Sequence, residues 1–251
     1  MRCLLPAALA LIAAAPALSQ EVPVDVELVL AVDISGSVDQ TEANQQRQGY
    51  VAALADPAVA RAIRSTFTGR VAVTYVEWAG DDMQEVVVPW TVLDGDTSAK
   101  AFAAALAEAP YRRAMWTSIS GAIDFSAPLF DDNGFAGERR VIDVSGDGVN
   151  NRGRLVTQAR DEAVARGIVI NGLPILNDRS QPMGMPTPME IALDRYYAES
   201  VIGGPGSFIV PATGFEEFKE AILQKLILEI AGNEPQPSAP DRDPEALAAV
   251  R

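Results

Sequence analysis

Residues Asp33-Ile34-Ser35-Gly36-Ser37 place one carboxylate and two hydroxyls at alternating positions of a short segment opened by a glycine. Alternating side chains of a tight loop can converge, and converging oxygen donors suit a small hard cation. The residues the chain lacks narrow the chemistry further. It has no His, and its one Cys is Cys3, in an N-terminal stretch expected to be removed. That excludes structural disulfides, Cys/His zinc sites and nucleophilic machinery built on His. Carboxylates, hydroxyls, Lys, Arg, Tyr or a hard metal remain. Asp33 and Ser35 do not fit the phosphatase pattern, in which a second Asp stands two residues after the first, and Gly146-Asp147-Gly148 lacks the Lys of a phosphate-binding loop. By itself Asp-x-Ser-x-Ser also marks ordinary Asx turns and helix caps, so the elements that position it decide its meaning.

The run 26–32 is apolar and β-branched except at Glu27, which predicts a strand buried on both faces of a parallel sheet and ending at Asp33. Ligand sites of open α/β sheets lie at that carboxyl end. Residues 41–55 have helix-forming composition with Thr41 as a cap, and Asp56-Pro57 interrupts them before a second helical stretch that includes 61–65. Strands follow at 70–78 and 85–93. The link between them is too short for a crossover helix, so they form a hairpin with the second strand at an edge. Asp96 or Thr97 caps a helix through Glu108; 117–130 reads as a helix with Ile119, Ile123 and Phe125 towards the core; 139–145 is a strand. Residues 154–166 are helical and lead through Gly167 into the strand 168–175. A Pro- and Met-rich loop is expected at 177–188, a helix at 189–201, a short strand at 207–211 and an amphipathic helix at 215–231. The pattern defines an α/β fold: doubly wound, with a mostly parallel central sheet, one antiparallel edge strand and helices on both faces.

With these elements in place, the segment from about 24 to 231 resembles the von Willebrand factor A family. Its metal-ion-dependent adhesion site is marked by Asp-x-Ser-x-Ser after the first strand, a Thr ahead of a helix, and a later Asp after a buried strand. The resemblance places the Thr at Thr117, in Trp116-Thr117-Ser118-Ile119-Ser120-Gly121, and the late acid at Asp147, in Val144-Ser145-Gly146-Asp147-Gly148. It implies a metal site of Asp33, Ser35, Ser37, Thr117 and Asp147, with the three hydroxyls binding the metal directly and the two carboxylates acting through water. Mg²⁺ is the cation such a set implies, with Mn²⁺ and Ca²⁺ as alternatives. Hydroxyl ligands leave the ion enough positive charge to recruit a carboxylate from a protein partner. Two departures from the family pattern stand out. Gly146 separates Ser145 from Asp147, with Asp143 as a rival acid in the same strand, and Trp116 stands where a small residue is common; it either walls the site or packs, and packing is favoured. Asn150 and Asn151 either support the site or shape the turn.

The first 19 residues, with Arg2 ahead of an apolar run and small residues at its end, read as a secretory signal peptide, and residues 232–251 as a flexible Pro-rich tail. No later stretch is apolar enough to span a membrane, so a periplasmic or secreted protein is expected. The formal net charge of −14 becomes −15 once Arg2 is removed, which disfavours nucleic acid as a partner. The sequence therefore points to an extracytoplasmic module, not an enzyme, that uses a divalent cation to capture an Asp or Glu carboxylate. A metal-assisted hydrolase and a metal-free scaffold are the alternatives.

Overall fold

The computed structural model describes residues 21–36, 40–176, 192–214 and 217–232. The expected signal peptide, the loop at 177–188 and the tail fall outside them, as does Ser37. β1 (Val22–Asp33) lies at the centre of a six-stranded sheet, between β2 (Val71–Trp78) and β4 (Phe135–Gly146). β3 (Gln84–Leu93) is the edge strand beside β2. On the other side β5 (Ile168–Leu176) follows β4, and the two-residue β6 (Ala212–Thr213) closes the sheet. Every neighbouring pair is parallel except β2 and β3. The fold is thus the doubly wound α/β architecture its strand and helix alternation predicts.

Successive side chains of a strand point to opposite faces, and here each face is buried. Val26, Leu28, Leu30 and Val32 of β1 join one core, with α1 (Gln40–Leu54), α2 (Pro57–Ser65), α3 (Asp96–Glu108) and α7 (Phe218–Ala231). Val29 and Ala31 join the other, with α4 (Ile119–Ser126), α5 (Val156–Ala165) and Tyr197 and Val201 of the π-turn that continues α6 (Leu193–Tyr196). The same alternation on β4 sends Val141 to the first core and Ile142 and Val144 to the second.

Most boundaries agree with the sequence within a few residues, and the differences have local causes. α1 starts at Gln40, so Thr41 lies within its first turn. Asp56 caps α2 by accepting from Ala58 N at 2.8 Å. α3 takes Gly95 as its cap; Asp96 lies inside its first turn, paired with Lys100 at 2.7 Å. α4 begins two residues after Thr117 because the Ser118 hydroxyl caps it, accepting from Gly121 N at 3.1 Å. Ile119 and Ile123 are buried there, while Phe125 is only partly covered. The strand expected at 207–211 forms instead at Ala212–Thr213; the earlier residues meet β5 through an isolated bridge between Gly172 and Ile209 and through Phe208 N, which donates to Asn171 Oδ1 at 3.1 Å.

Beneath α7 the first core contains charge. Lys225 is fully buried and pairs with Asp143 at 2.6 Å and with Glu229, and its ammonium sits 5.4 Å from the centre of the Phe208 ring. One cation serving two carboxylates leaves the second under-compensated. Burial, then the charge of Asp143, push the Glu229 carboxyl up to about 7 from its ordinary 4.5. A carboxyl whose folded pKa is raised binds a proton more tightly when folded, so its contribution to stability is complete below pH 4.5 and is lost as pH rises through about 7. Urea melts of the wild type should therefore show stability falling from pH 5 to pH 8, and Glu229→Gln should flatten that slope; an unchanged slope in the variant would contradict this assignment.

Candidate functional site

From β1 the chain runs to β2 and β3 on one side, and it returns to β4 on the other. The carboxyl ends of β1 and β4 therefore flank the point where the winding reverses, the crevice where open α/β sheets bind ligands. Asp33 is the last residue of β1 and continues the series Val29 and Ala31, so its side chain faces the α4 and α5 side, where it is wholly buried. Gly146 ends β4 in the series of Ile142 and Val144 on that same face. A methyl on Gly146 would lie 3.0 Å from Asp33 Oδ2 and 3.2 Å from its Cβ, so the carboxylate occupies the space a side chain there would fill.

Beyond the strand ends the loops bring the remaining groups together. Ser35 N donates to Asp33 Oδ1 at 2.7 Å, and the Thr117 hydroxyl donates to Ser35 Oγ at 3.4 Å. Thr117 is held by the loop that follows β4. Its amide donates to Asn151 Oδ1 at 2.9 Å, and its carbonyl accepts from Asn151 N at 2.9 Å and Arg152 N at 3.2 Å. Asn150 Oδ1 accepts from Ser120 N at 3.0 Å in the first turn of α4. The two asparagines thus do more than shape their own turn: they tie it to the segment that presents Thr117. Asp147, the next residue after β4, is buried close enough to Asp33 for the like charges to interact.

Asp33, Ser35, Thr117 and Asp147 therefore meet at one end of the sheet, all buried. Asp143, the rival acid, belongs to the opposite face with Val141 and is paired with Lys225 there. Its buried charge is met by the Lys225 ammonium. Trp116 also departs from expectation. It is 53% exposed, has a left-handed backbone with φ of 71°, and carries the Arg152 guanidinium 4.9 Å above its ring. It stands at the rim of the site instead of packing into the core. Met115 at 70% exposure precedes it, and Val149 and Leu155 are exposed on the facing loop.

Burial first, and then the negative charge of Asp147, hold the Asp33 carboxyl well above its ordinary value, against the lowering effect of its hydrogen bonds from Ser35. Among the described residues no cationic side chain acts on it, and Asp33 Oδ2 has no hydrogen-bond partner. An unpaired buried carboxylate oxygen next to a second acid and two hydroxyls fits a divalent cation with oxygen ligands, which removes the repulsion and uses the vacant lone pairs. Sequence reasoning missed Tyr197. Its hydroxyl is buried and without a hydrogen-bond partner, and it lies 3.0 Å from the position of that same methyl on Gly146. Burial, with the charges of Asp33 and Asp147, pushes the phenol well above its ordinary value, so it keeps its proton. Its place at the start of a π-turn, a feature frequent at functional sites, has no periodic signal in the sequence.

The arrangement of strands, and the position of the site at their carboxyl edge, are those of a von Willebrand factor A domain. Within that fold class, the chain belongs to the family DUF1194, described as a protein of unknown function, which matches residues 23–234. Several solved structures share the fold at low identity. The pilus adhesin SpaC from Lactobacillus rhamnosus GG superposes with a TM-score of 0.60 at 15% identity, over 84% of this chain and 31% of the adhesin. Proximal thread matrix protein 1 from the mussel byssus, in a form described as having a zinc-occupied MIDAS motif, gives 0.55 at 12% identity, over 84% of this chain and 49% of that one. A von Willebrand factor type A protein from Catenulispora acidiphila gives 0.52 at 13% identity, over 82% and 43%. The chain spans about half the length of the mussel protein, and less of the other two. No curated protein matches the sequence.

The loop after β4 is built around Gly153, whose φ is +76°; a methyl there would approach the Ser118 and Ser120 hydroxyls to 2.8 Å. Gly153→Ala should cost about 1–3 kcal/mol in urea unfolding, from backbone strain and overpacking. Gly148→Ala, whose methyl would sit 3.7 Å from Thr117 Oγ1, should be tolerated. Equal stability of the two variants would contradict the role given to the Gly153 turn.

Proposed function

We propose that the protein is a metal-dependent protein-binding module, without catalytic activity, that captures a partner's Asp or Glu carboxylate through a divalent cation. The observation that carries this reading is Asp33. Its carboxylate is wholly buried, with one oxygen unpartnered, beside Asp147, Ser35 and Thr117 at the carboxyl edge of the sheet. Those four residues, with Ser37, would hold the ion. Mg²⁺ suits oxygen donors and retained waters, with Mn²⁺ or Ca²⁺ as alternatives. Once bound, the ion would supply a positive centre at the bottom of the crevice.

What the chain adds is the surrounding surface. Its hydroxyl donors do not neutralise the ion, and its acidic field selects against a broadly acidic partner. Met115, Trp116, Val149 and Leu155 are four of the six large apolar residues exposed among the described residues, and all lie on the two loops beside the site. Exposed apolar side chains grouped at a polar pit are a protein-contact feature, and Trp and Arg are the residue types that anchor such contacts. The partner that fits carries one carboxylate next to an apolar side chain. The adhesin among the solved structures and the zinc site of the mussel protein support this direction. An exported location follows from the N-terminal sequence and belongs to the same proposal; no helix among the described residues is long and apolar enough to cross a membrane.

Titration of the protein with Mg²⁺ and with Mn²⁺ in a calorimeter should give one binding site per chain, and Asp33→Ala should weaken it about 100-fold or abolish it. Exported proteins retained on the immobilised chain in Mg²⁺ should be released by chelator. Trp116→Ala should lose them while still binding metal. Retention unchanged in chelator would contradict cation-mediated capture, and turnover of ester or phosphate substrates that Asp33→Ala abolishes would establish the hydrolase instead.

A further inference from the structure

Two buried polar atoms without partners among the described residues border the same glycine. Asp33 Oδ2 and the Tyr197 hydroxyl are each 3.0 Å from where a methyl on Gly146 would sit, and neither has a hydrogen-bond partner among the described residues. Buried polar atoms are nearly always satisfied, so two orphans on either side of one glycine call for a shared explanation. Ordinary packing does not supply one: a Phe at 197 would fill the same core space without burying a hydroxyl, which costs free energy unless it is used. The backbone also departs from regular helix at this residue. Tyr197 opens a π-turn at the end of α6, and its ring is fully buried in the second core between β5 and α5.

We infer that Tyr197 is a positioning residue of the cation site: with the ion bound, its hydroxyl donates to Asp33 Oδ2, through one water or by direct approach beside Gly146, and fixes the carboxylate for the ion. The inference rests on the cation reading proposed above. The remaining lone pairs of Asp33 are then divided in a defined way. Oδ1 takes the Ser35 amide, and Oδ2 takes the phenol on its protein side while facing the ion's hydration shell. Groups that orient metal ligands in this manner typically change metal affinity by about 10–100-fold when removed. Tyr196, its neighbour, is committed elsewhere, accepting from Asn150 N at 3.3 Å. Consecutive tyrosines therefore flank the crevice, one beside Asp33 and one on the loop after β4 that holds Thr117. Cation binding should in consequence be felt in the π-turn as well as in the loops.

The test uses the full mature chain and Mn²⁺. Tyr197→Phe removes only the hydroxyl; Gly146→Ala keeps it but crowds both it and Asp33 with a methyl. Calorimetry should show each variant binding Mn²⁺ at least about tenfold more weakly than the wild type, with the melting temperature of the metal-free protein preserved in Tyr197→Phe. Hydrogen exchange should show Mn²⁺ protecting amides 197–202 in the wild type and not in Tyr197→Phe. Affinity within twofold of wild type in both variants would overturn the role of Tyr197 while leaving the cation site intact. A wild-type chain that takes up no Mn²⁺ would overturn the cation reading itself, and this inference with it.

Discussion

Two carboxylates that repel each other are buried together at the end of the sheet, and the local architecture is arranged around that repulsion. Asp33 comes from the end of β1 and Asp147 from the residue after β4, adjacent strands on either side of the point where the winding reverses. Burial and mutual charge raise the cost of ionising Asp33, and hydrogen bonds from Ser35 recover only part of it. The protein pays elsewhere for buried charge in a different way: Asp143, two strand positions before Ser145, receives Lys225 in the opposite core. At the crevice no ammonium or guanidinium among the described residues plays that part for Asp33. One sheet thus buries acids on both faces, with an ammonium built in on one face and a carboxylate oxygen of Asp33 without a partner among the described residues on the other.

The elements around the crevice serve to hold those acids and the hydroxyls still. Gly146 makes room for the Asp33 side chain, Asn150 and Asn151 lash the loop after β4 to the lead-in of α4, and Ser118 caps that helix just beyond Thr117. Rigid strands and capped helices are better supports for a site than free loops. Outside this frame the surface changes character. Trp116, strained in backbone and braced by Arg152, stands with Met115 over the opening, on a chain whose net charge is otherwise strongly negative. Under the binding reading proposed above, a polar pit with an apolar rim would discriminate by two independent criteria, charge at the centre and shape around it.

Much of this was legible in the chain before its structure. Asp33 stood out because a β-branched run, apolar except at Glu27 and read as a buried strand, stops there and is followed by spaced hydroxyls. Thr117 and Asp147 were not legible from local pattern, since contacts such as that between Thr117 and Ser35 join residues 82 apart; only the resemblance to a known family located them. Asp143 is set apart by parity, sharing a face with Val141 while Asp33 shares the other with Gly146; Asp147 lies beyond the end of β4, where the alternation no longer applies. That parity was available in the alternation, but in a strand buried on both sides no polar stripe marks which face is which. Tyr197 escaped notice because a π-turn breaks the helical period that would have placed it. The strand expected at 207–211 shifted to Ala212–Thr213 because a short β-like run can pair or merely touch, and here Gly172 accepts only an isolated bridge.

The central claim is that the buried acids and hydroxyls at the carboxyl edge of the sheet are a cation site. Crystals of the mature chain grown in Mn²⁺, with anomalous diffraction collected above the manganese edge, test it most directly. The account predicts one strong anomalous peak within about 2.5 Å of the Ser35 and Thr117 hydroxyls, with Asp33 and Asp147 turned towards it. A map with no peak there, or with manganese only at surface carboxylates elsewhere, would contradict it.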